Sequence, residues 1–347
     1  MNDNKNTATP FVPALAARVF RGDAVEAIHY ATIAIVNAEG KLTHYLGDPF
    51  QPFMTRSSIK PFQLAPLITT GAADHYKFSN EQLAIMAGSH SGTDAHRVVV
   101  MSNLQKAGNK PEMLQCGAHP PIFMQQENIY PRNDEDKDPV RHNCSGKHSG
   151  FLALARFMGV DVSEYLNPES KSQKLVKKTL AEICEYPEDK MTVGIDGCSA
   201  PNFSLPMNNL ALGFRKLAHP NGCGTDIRKA LDRIRNAMQE HPFMFSGDKR
   251  PDLVLMYSFP HRIVCKGGAE AVQAIGFSDP PLGIAIKIHD GNARALMAIC
   301  VEVLKQLGIV ANMDDFEYLI KYEQPEVRNN RGLLTGYIKT DFVLKKA

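Results

Sequence analysis

Ser57 and Lys60 stand three residues apart in the stretch TRSSIKPFQ, which spans residues 55–63. Side chains at this spacing lie on one face of a helical turn, so the amine can reach the hydroxyl. A serine is a weak nucleophile until a base takes its proton, and a lysine is such a base when burial or a nearby cation lowers its pKa. Pro61 is compatible with this turn if the turn is the first of its helix. The spacing therefore indicates a lysine-activated serine nucleophile.

Two later segments continue this pattern in the order found in serine acyl-enzymes of the penicillin-binding group. The loop GSHSG offers Ser89 or Ser91 as a second serine, and Lys266 is followed by Gly267 and Gly268 on a predicted strand. Each segment alone has a plainer explanation: a lysine at a helix start, a glycine loop after a helix, and a cation at a strand end. Three such segments in order favour a hydrolase, in which the glycines let the strand backbone approach a substrate closely.

Cysteines supply a second group of reactive side chains. Cys144 lies in RHNCSGKHSGF and Cys198 in GIDGCSAPNF, two separate segments that also contain nitrogen and oxygen donors. Two thiolates with such partners could hold zinc, and His142 and His148 are the obvious further ligands by chemistry. Neither segment has C-x-x-C spacing, so buried free thiols are the alternative. The seven cysteines are scattered and odd in number, unlike the framework of a small secreted domain.

The composition limits the partners of such a site. Lysine and arginine total 39 against 37 acidic residues, and the net charge of +2 provides no basic field for nucleic acid or an anionic membrane. No apolar run reaches the roughly 18 residues of a membrane-spanning helix. Residues 1–23 lack the basic cluster and continuous apolar run of a signal peptide. We therefore expect a cytoplasmic protein that acts on a small molecule, without a nucleic-acid or membrane partner.

The elements that must position these residues include strands near both ends of the chain. In residues 28–48, apolar and β-branched runs flank a turn at Ala38-Glu39-Gly40, which predicts a hairpin. After about residue 250, strands are expected in HRIVCKGGAEAVQAIGF and LGIAIKIHD, separated by a turn at residues 279–281. The tail EVRNNRGLLTGYIKTDF predicts one further strand, and MTVGI predicts another just before Asp196. Strands from both ends of the chain can thus join in one sheet.

Helical patterns fill the middle of the chain. Ser79 is the expected N-cap of SNEQLAIMAG, and a second helix in DAHRVVVMSNLQKAGNKP is expected to end at Gly108. Pro66 suggests a kink or an early end for the helix that begins near Lys60. Further helices are predicted at 147–158, 168–185, 205–217, 224–240 and 291–307.

The fold class that follows is α+β, with a mostly antiparallel sheet built from both termini and an inserted helical lobe. We expect one catalytic domain over residues 1–347. Its sheet lobe is predicted at about 1–55 and 250–347, and its mostly helical lobe at about 56–249.

With these segments in hand, the chain resembles the asparaginase II family of the kind found in Rhizobium, and the resemblance covers nearly the whole chain. Departures from the family pattern at Ile59, Ala271 and His289 remove no hydroxyl, amine or thiol from the implied site. The resemblance is carried by RSSIKPFQ, GSHSG, CGAHPP, RHNCSGKHSGF, GIDGCSAPNFSLP, KGGAEA, KIHDG and NNRGLLTGYIK.

The resemblance implies an amide hydrolase with a fold similar to serine β-lactamases and glutaminases. Two serine and lysine pairs are implied at the matching positions, Ser57 with Lys60 and Ser89 with Lys266. As a hypothesis, Ser57 attacks the side-chain amide of L-asparagine while Lys60 accepts the proton. Ser89 and Lys266 then relay the proton to ammonia or supply a positive field. The pattern leaves open which serine is acylated.

The resemblance also implies a zinc ion. Its ligands match Cys144, Lys147 and Cys198, so the implied third ligand is a lysine and not a histidine. Asp196 is expected close by through water. Because serine already supplies the nucleophile, zinc is expected to organise the α-amino and carboxylate end of the substrate. The residues expected to contact substrate are Arg56, His148, Asp196, Gly267 and Gly268.

Two other functions compete with this prediction. A serine and lysine hydrolase of glutamine is the nearest, because one methylene group changes binding by only about 1 to 3 kcal/mol. A non-catalytic zinc or amino-acid binding protein on the same scaffold is the second, and it would tolerate loss of the serines and lysines. A homodimer is implied only at the level of the family.

Overall fold

The structure, a computed structural model, describes residues 13–130 and 137–347. Residues 1–12, which the predicted sheet lobe includes, lie outside the described residues. The described strands, in chain order, are β1 (Ala14–Arg21), β2 (Ala24–Val36), β3 (Leu42–Leu46), β4 (Pro52–Met54), β5 (Val193–Ile195), β6 (Pro201–Pro206), β7 (Ile263–Gly268), β8 (Val272–Ser278), β9 (Pro281–Ile288), β10 (Glu326–Arg328), β11 (Leu334–Thr340) and β12 (Lys345–Lys346).

Most of these strands form one antiparallel sheet in the order β10-β11-β1-β2-β9-β8-β7, with β3 pairing with both β2 and β12. The long strand β2 changes neighbour along its length, since Ala31 pairs with Ala14 of β1 and with Ile288 of β9. The predicted antiparallel sheet from both ends of the chain is confirmed, and so is the hairpin formed by β2 and β3. The tail forms two strands, β10 and β11, and not one, because a turn at residues 329–332 reverses the chain.

Helices occupy much of the chain between the two groups of sheet strands. Ser79 caps α3 through the predicted N-cap contact, and its hydroxyl accepts the Gln82 N–H. No helix among the described residues is long and apolar enough to cross a membrane. The described helices are α1 (Lys60–Thr69), α2 (Ala72–His75), α3 (Asn80–Ala87), α4 (Asp94–Lys106), α5 (Ile122–Gln126), α6 (Ser145–Phe157), α7 (Lys171–Cys184), α8 (Met207–Ala218), α9 (Thr225–Glu240), α10 (Pro242–Ser246), α11 (Pro251–Ser258) and α12 (Leu296–Gln306).

Two helices differ from the prediction. Pro66 does not end α1, which continues to Thr69 because residues 60–67 are all buried and packing against α7 and α9 supports the helix. The chain after residue 250 starts with α11 and not with a strand, and the strands return only at Ile263. Pro251 suits the first position of a helix, while the short apolar run that follows it fits either type of element.

A separate three-stranded sheet, in the order β4-β6-β5, joins two distant parts of the chain. Strand β4 leads into the turn that carries Ser57, whereas β5 and β6 flank the segment that holds Asp196 and Cys198. Met54 pairs with Ser204, and Ile195 pairs with Pro201. This small sheet therefore brings the predicted nucleophile and one of the predicted metal ligands to the same end of the molecule.

Candidate active site

The turn that carries Ser57 is held by a residue from another strand. Residues 56–59 form a 3-10 turn directly before α1, and Arg56 has a φ of 52°, a left-handed conformation that costs free energy for a residue with a side chain. Asn202 of β6 offsets this cost. Its Oδ1 accepts the Arg56 N–H at 3.0 Å, and its Nδ2 donates to the Arg56 carbonyl at 3.0 Å. Ser57 therefore sits on a clamped turn at the start of a helix.

Lys60 is buried beneath this turn and makes three hydrogen bonds. Its Nζ donates to the Gly88 carbonyl and to Ser89 Oγ, both at 2.8 Å, and to the Asn143 carbonyl at 3.3 Å. The amine therefore contacts the second predicted serine directly. Nucleophilic or proton-relay chemistry requires a base within hydrogen-bond distance of a hydroxyl group, and this pair meets that requirement.

The surroundings of Lys60 favour its neutral form. Burial lowers the pKa of this amine to about 8, and the ammonium groups of Lys147 and Lys266 act in the same direction, while Cys144 and Cys198 oppose them. A minority of Lys60 is therefore unprotonated near neutral pH, a far larger share than at its ordinary pKa, and the unprotonated amine can accept a proton.

Ser89 is positioned by the close approach of its loop to helix α10. A Cβ added at Gly88 would lie 2.0 Å from the Phe245 carbonyl oxygen, so no side chain fits at that position. The Ser89 N–H donates to the same carbonyl at 3.0 Å. The glycine of the GSHSG loop thus allows the backbone contact that presents the Ser89 hydroxyl to Lys60.

Lys266 is paired differently from the pairing that the family resemblance implied. Its Nζ donates to Asp252 Oδ2 at 2.9 Å and to the Gly267 carbonyl at 2.8 Å, whereas Ser89 bonds to Lys60. Burial raises the pKa of the Asp252 carboxyl, but Lys266 and a hydrogen bond from Gln273 outweigh it and hold that pKa below its ordinary value. The structure therefore contains a buried ion pair at this position, and Ser89 and Lys266 are not bonded to each other.

Ser57 and Ser89 line one cavity of about 380 Å³. The end of strand β7 also lines this cavity, through Gly267 and Gly268. Gly268 packs closely on the Ser57 turn, since a Cβ added to it would lie 2.9 Å from the Thr55 carbonyl oxygen. A larger cavity of about 590 Å³ beside α7 contains none of the predicted site residues. The chemistry of the lining, and not its size, identifies the smaller cavity as the candidate active site. Its polar lining and glycines are Ser57, Ser89, Asn143, Arg250, Asp252, Gly267, Gly268 and Gln273.

The predicted metal ligands converge beside Lys60. Lys147 Nζ donates to Cys198 Sγ at 3.1 Å, and all seven cysteines are free thiols. The pKa of the Cys144 thiol is held well below its ordinary value by a hydrogen bond with Cys198 and by the ammonium groups of Lys60 and Lys147, against the effect of burial. Cys144, Lys147 and Cys198 therefore form one buried cluster, with both sulfur atoms close together.

His148 lies at this cluster and not on the cavity wall. Its Nδ1 is 2.8 Å from Tyr165 Oη, and its Nε2 is buried without a hydrogen-bond partner. Burial lowers the pKa of His148 to about 4, and the nearby Cys198 thiol opposes that shift. Among the described residues, no three histidine, cysteine, aspartate or glutamate side chains form a metal-binding group, so a metal here would need the lysine amine as a donor.

Arg56 and Asp196, two predicted substrate contacts, bind each other. Arg56 Nε donates to Asp196 Oδ1 at 2.9 Å, and Glu270 lies 3.5 Å from the same guanidinium group. Both Arg56 and Asp196 line a neighbouring cavity of about 500 Å³. The structure thus places them next to the Ser57 turn, with the charge of Arg56 already balanced by two carboxylates.

Sequence reasoning missed three residues of this site. Asp252 neutralises Lys266, Asn202 clamps the Ser57 turn, and Arg250 lines the cavity. Asn202 lies within the quoted segment GIDGCSAPNF, but no local pattern indicates its partner. Asp252 is the acidic residue of the largely apolar segment PDLVLMYS. That position was the one available signal, because a carboxylate that becomes buried needs a partner of opposite charge.

Comparison with known proteins gives one family and several distant structural likenesses. A family model for L-asparaginase II matches residues 17–340. No curated protein matches the chain. Among solved structures, a β-lactamase from Mycobacterium bovis has 11% identity and a TM-score of 0.40, over 80% of this chain and 94% of its own.

Two other solved structures are similarly distant. A β-lactamase from Francisella tularensis has 12% identity and a TM-score of 0.32, over 76% of this chain and 84% of its own. A mutant of simvastatin synthase from Aspergillus terreus has 10% identity and a TM-score of 0.37, over 84% of this chain and 93% of its own.

Proposed function

The chain belongs to the L-asparaginase II family, and on that basis we propose that it hydrolyses the side-chain amide of L-asparagine to L-aspartate and ammonia. The family points to an amide hydrolase. The observation that carries the proposal is the buried Lys60 amine, which contacts Ser89 in the cavity that Ser57 also lines. A homodimeric state is part of the proposal and rests on the resemblance to the family, whereas a cytoplasmic location stays a prediction from the sequence.

In the first step, Ser57 Oγ attacks the amide carbon and Lys60 takes the hydroxyl proton. The three-residue spacing and the lowered pKa of Lys60 support this role. In the structure the amine bonds to Ser89 and not to Ser57, so Lys60 must turn toward Ser57 for this step. The carbonyl oxygen becomes an oxyanion at the N-terminus of α1. Backbone N–H groups at such a helix start favour negative charge, and each preorganised donor contributes about 3 kcal/mol to the transition state.

In the second step, the carbon–nitrogen bond breaks and the leaving nitrogen needs a proton. Lys60 can return the proton through Ser89, to which it is hydrogen-bonded. The leaving group departs as ammonia, and the acyl group stays on Ser57. Water then attacks the ester, Lys60 again takes and returns a proton, and aspartate leaves with Ser57 regenerated. Lys266 supports this cycle as a fixed cation, because its charge disfavours the protonated form of Lys60.

Zinc is proposed as the cofactor of the cluster beside Lys60. Two thiols and one amine converge there, and these donors fit zinc, which prefers sulfur and nitrogen ligands. Cys144, Lys147 and Cys198 would hold the ion, after Lys147 releases its proton. A bound zinc would supply a positive centre that organises the substrate.

Removal of zinc is expected to raise KM more than it lowers kcat, because Ser57 and Lys60 supply the nucleophile and base without it. Metal analysis of the purified protein should find zinc, and Cys198→Ser should reduce its content. Kinetics before and after dialysis against a chelator then measure both constants. An unchanged KM with complete loss of turnover would show that zinc takes part in the chemistry itself.

The proposed reaction is tested by ammonia release from L-asparagine and L-glutamine in parallel. We expect kcat/KM for asparagine to exceed that for glutamine by roughly 10- to 200-fold, the discrimination that one methylene group allows. A preference for glutamine would move the assignment to that amide. If neither amide releases ammonia from zinc-loaded protein, the chain is a binding protein or acts on another acyl compound.

A further inference from the structure

Arg250 lies at the candidate active site but has no role in the mechanism above. It directly precedes α11, and its carbonyl accepts the Val254 N–H at 3.1 Å, so the backbone at this position is fixed by the helix. Arg250 lines the same cavity as Ser57 and Ser89. The Nε of its guanidinium group is buried and has no hydrogen-bond partner among the described residues. Buried donors of this kind are rare in proteins and usually indicate a missing partner.

Asp252, the carboxylate that lines the same cavity, does not bond to that Nε and is already bonded to three other donors. Asp252 Oδ2 accepts from Lys266 at 2.9 Å. Asp252 Oδ1 accepts the Gly267 N–H at 2.7 Å and Gln273 Nε2 at 3.1 Å. Of the described residues that line the cavity, Asp252 is the one acidic residue and Arg250 the one basic residue.

Arg250 forms no ion pair with the described residues, whereas the cavity carboxylate Asp252 is paired with Lys266. Lys266 lies behind the wall and neutralises Asp252, with both side chains almost fully buried. The other arginine near Ser57 is Arg56, and it is already paired with Asp196. The cavity thus presents two serine hydroxyls and one guanidinium group that has no ion pair among the described residues, an arrangement that suits a ligand with an anionic end.

We infer that Arg250 anchors the α-carboxylate of the substrate, so that the site accepts amides of amino acids whose α-carboxylate is free. A guanidinium group offers a planar set of N–H donors that matches a carboxylate in two parallel hydrogen bonds. With the carboxylate held there, the side-chain amide is directed toward the serines at the other part of the same cavity. This inference deepens the proposed function and depends on it for the identity of the amide.

The first test compares two substrates in the wild type and in Arg250→Met. L-Asparagine has the α-carboxylate, whereas L-aspartic acid diamide replaces it with an uncharged amide. The substitution is expected to raise KM for L-asparagine by about 10- to 100-fold, the value of a lost charge-assisted contact, with a small change in kcat. The KM of Arg250→Met for the diamide should stay within about threefold of the wild-type value. Arg250→Lys should recover part of the lost affinity for L-asparagine, because lysine restores the positive charge but not the planar set of donors. An equal rise in KM for both substrates would overturn the assignment.

Lys249→Met is the matched control, because it removes a positive charge from the adjacent residue. Lys249 is exposed, does not line the cavity, and bonds to Glu127 at 2.7 Å. It should leave both KM values unchanged. If it raises KM for L-asparagine as much as Arg250→Met does, the effect comes from the general field of the protein, and the anchor assignment is wrong.

A second measurement separates this inference from the proposed function. Titration calorimetry with L-aspartate, which has the same α-carboxylate, needs no turnover. The wild type is expected to bind it at least about 10-fold more tightly than Arg250→Met does. Equal affinity in the two proteins, or no binding to the wild type, would refute the anchor even if asparagine is hydrolysed. Failure of the wild type to hydrolyse asparagine, with this difference in binding intact, would refute only the proposed reaction.

Discussion

Replacing Lys60 with methionine is expected to lower kcat for L-asparagine by about 10²- to 10⁴-fold, the range that a positioned general base contributes. The fold should survive, because methionine has a similar volume and removes an amine whose burial already disfavours its charge. Steady-state kinetics and thermal unfolding of the same preparations measure both effects. A Tm equal to or above that of the wild type, with activity lost, is the expected combination.

Lys216→Met is the matched control for the loss of a buried lysine. Lys216 lies on α8, is largely buried, and pairs with Glu185 at 2.6 Å. The Lys216→Met variant should change kcat little.

A double variant tests whether Ser57 and Lys60 act together. Ser57→Ala should remove activity, and the kcat of Ser57→Ala with Lys60→Met should be no lower than that of either single variant, because the effects of residues that act as a unit are not additive. If Lys60→Met keeps more than about a tenth of the wild-type kcat, Lys60 is not the base.

The pH dependence provides a second measurement of the same role. Lys60 must be unprotonated to accept a proton, and burial lowers its pKa to about 8. The value of kcat/KM should therefore rise with pH and level off above about 8. Between that pH and its ordinary pKa, the unfolded chain binds the Lys60 proton more than the folded chain does, so stability should also rise with pH in this window. Lys60→Met should abolish that contribution to the rise.

Replacing Asp252 with asparagine is expected to lower the free energy of unfolding by about 3 to 5 kcal/mol, the cost of leaving a buried charge without its partner. Asp252 and Lys266 have side chains that are 5% and 1% exposed, and their charged atoms are 2.9 Å apart. Asparagine keeps the shape of the side chain but removes the charge that balances the Lys266 ammonium. Urea denaturation of the wild type and the variant measures the difference.

The double variant Asp252→Asn with Lys266→Met separates pairing from function. It removes both charges, so most of the lost stability should return, because replacement of a whole buried pair is often neutral. Activity should stay low, since the fixed cation near Lys60 is absent. A single Asp252→Asn variant within about 1 kcal/mol of the wild type would show that the two groups do not form a buried ion pair in solution.

Several elements and one part of the site could be predicted from local sequence alone. The hairpin of β2 and β3 follows from apolar and β-branched runs that flank a turn at Gly40, and the start of α3 follows from the cap at Ser79. The three-residue spacing also places Ser57 and Lys60 on one turn, although the Lys60 amine bonds to Ser89 and not to Ser57. These features depend on contacts between residues that are close in the chain, and such contacts are largely independent of the rest of the fold.

The partners of the lysines could not be predicted in this way. Lys60 bonds to Ser89, 29 residues away, and Lys266 bonds to Asp252 on a helix that local sequence placed in a strand region. The Ser57 turn depends on Asn202, which reaches it only through the small sheet of β4, β6 and β5.

The sequence by itself therefore determined the residue types of the site, the order of its motifs and the mostly antiparallel sheet from both termini. The tertiary structure decided which charged groups pair and which donor, at Arg250, is left without a partner. The physical reason is that a buried charge or polar atom must be matched by whatever group the packing of distant segments brings within about 3 Å. Spacing along the chain does not specify that group.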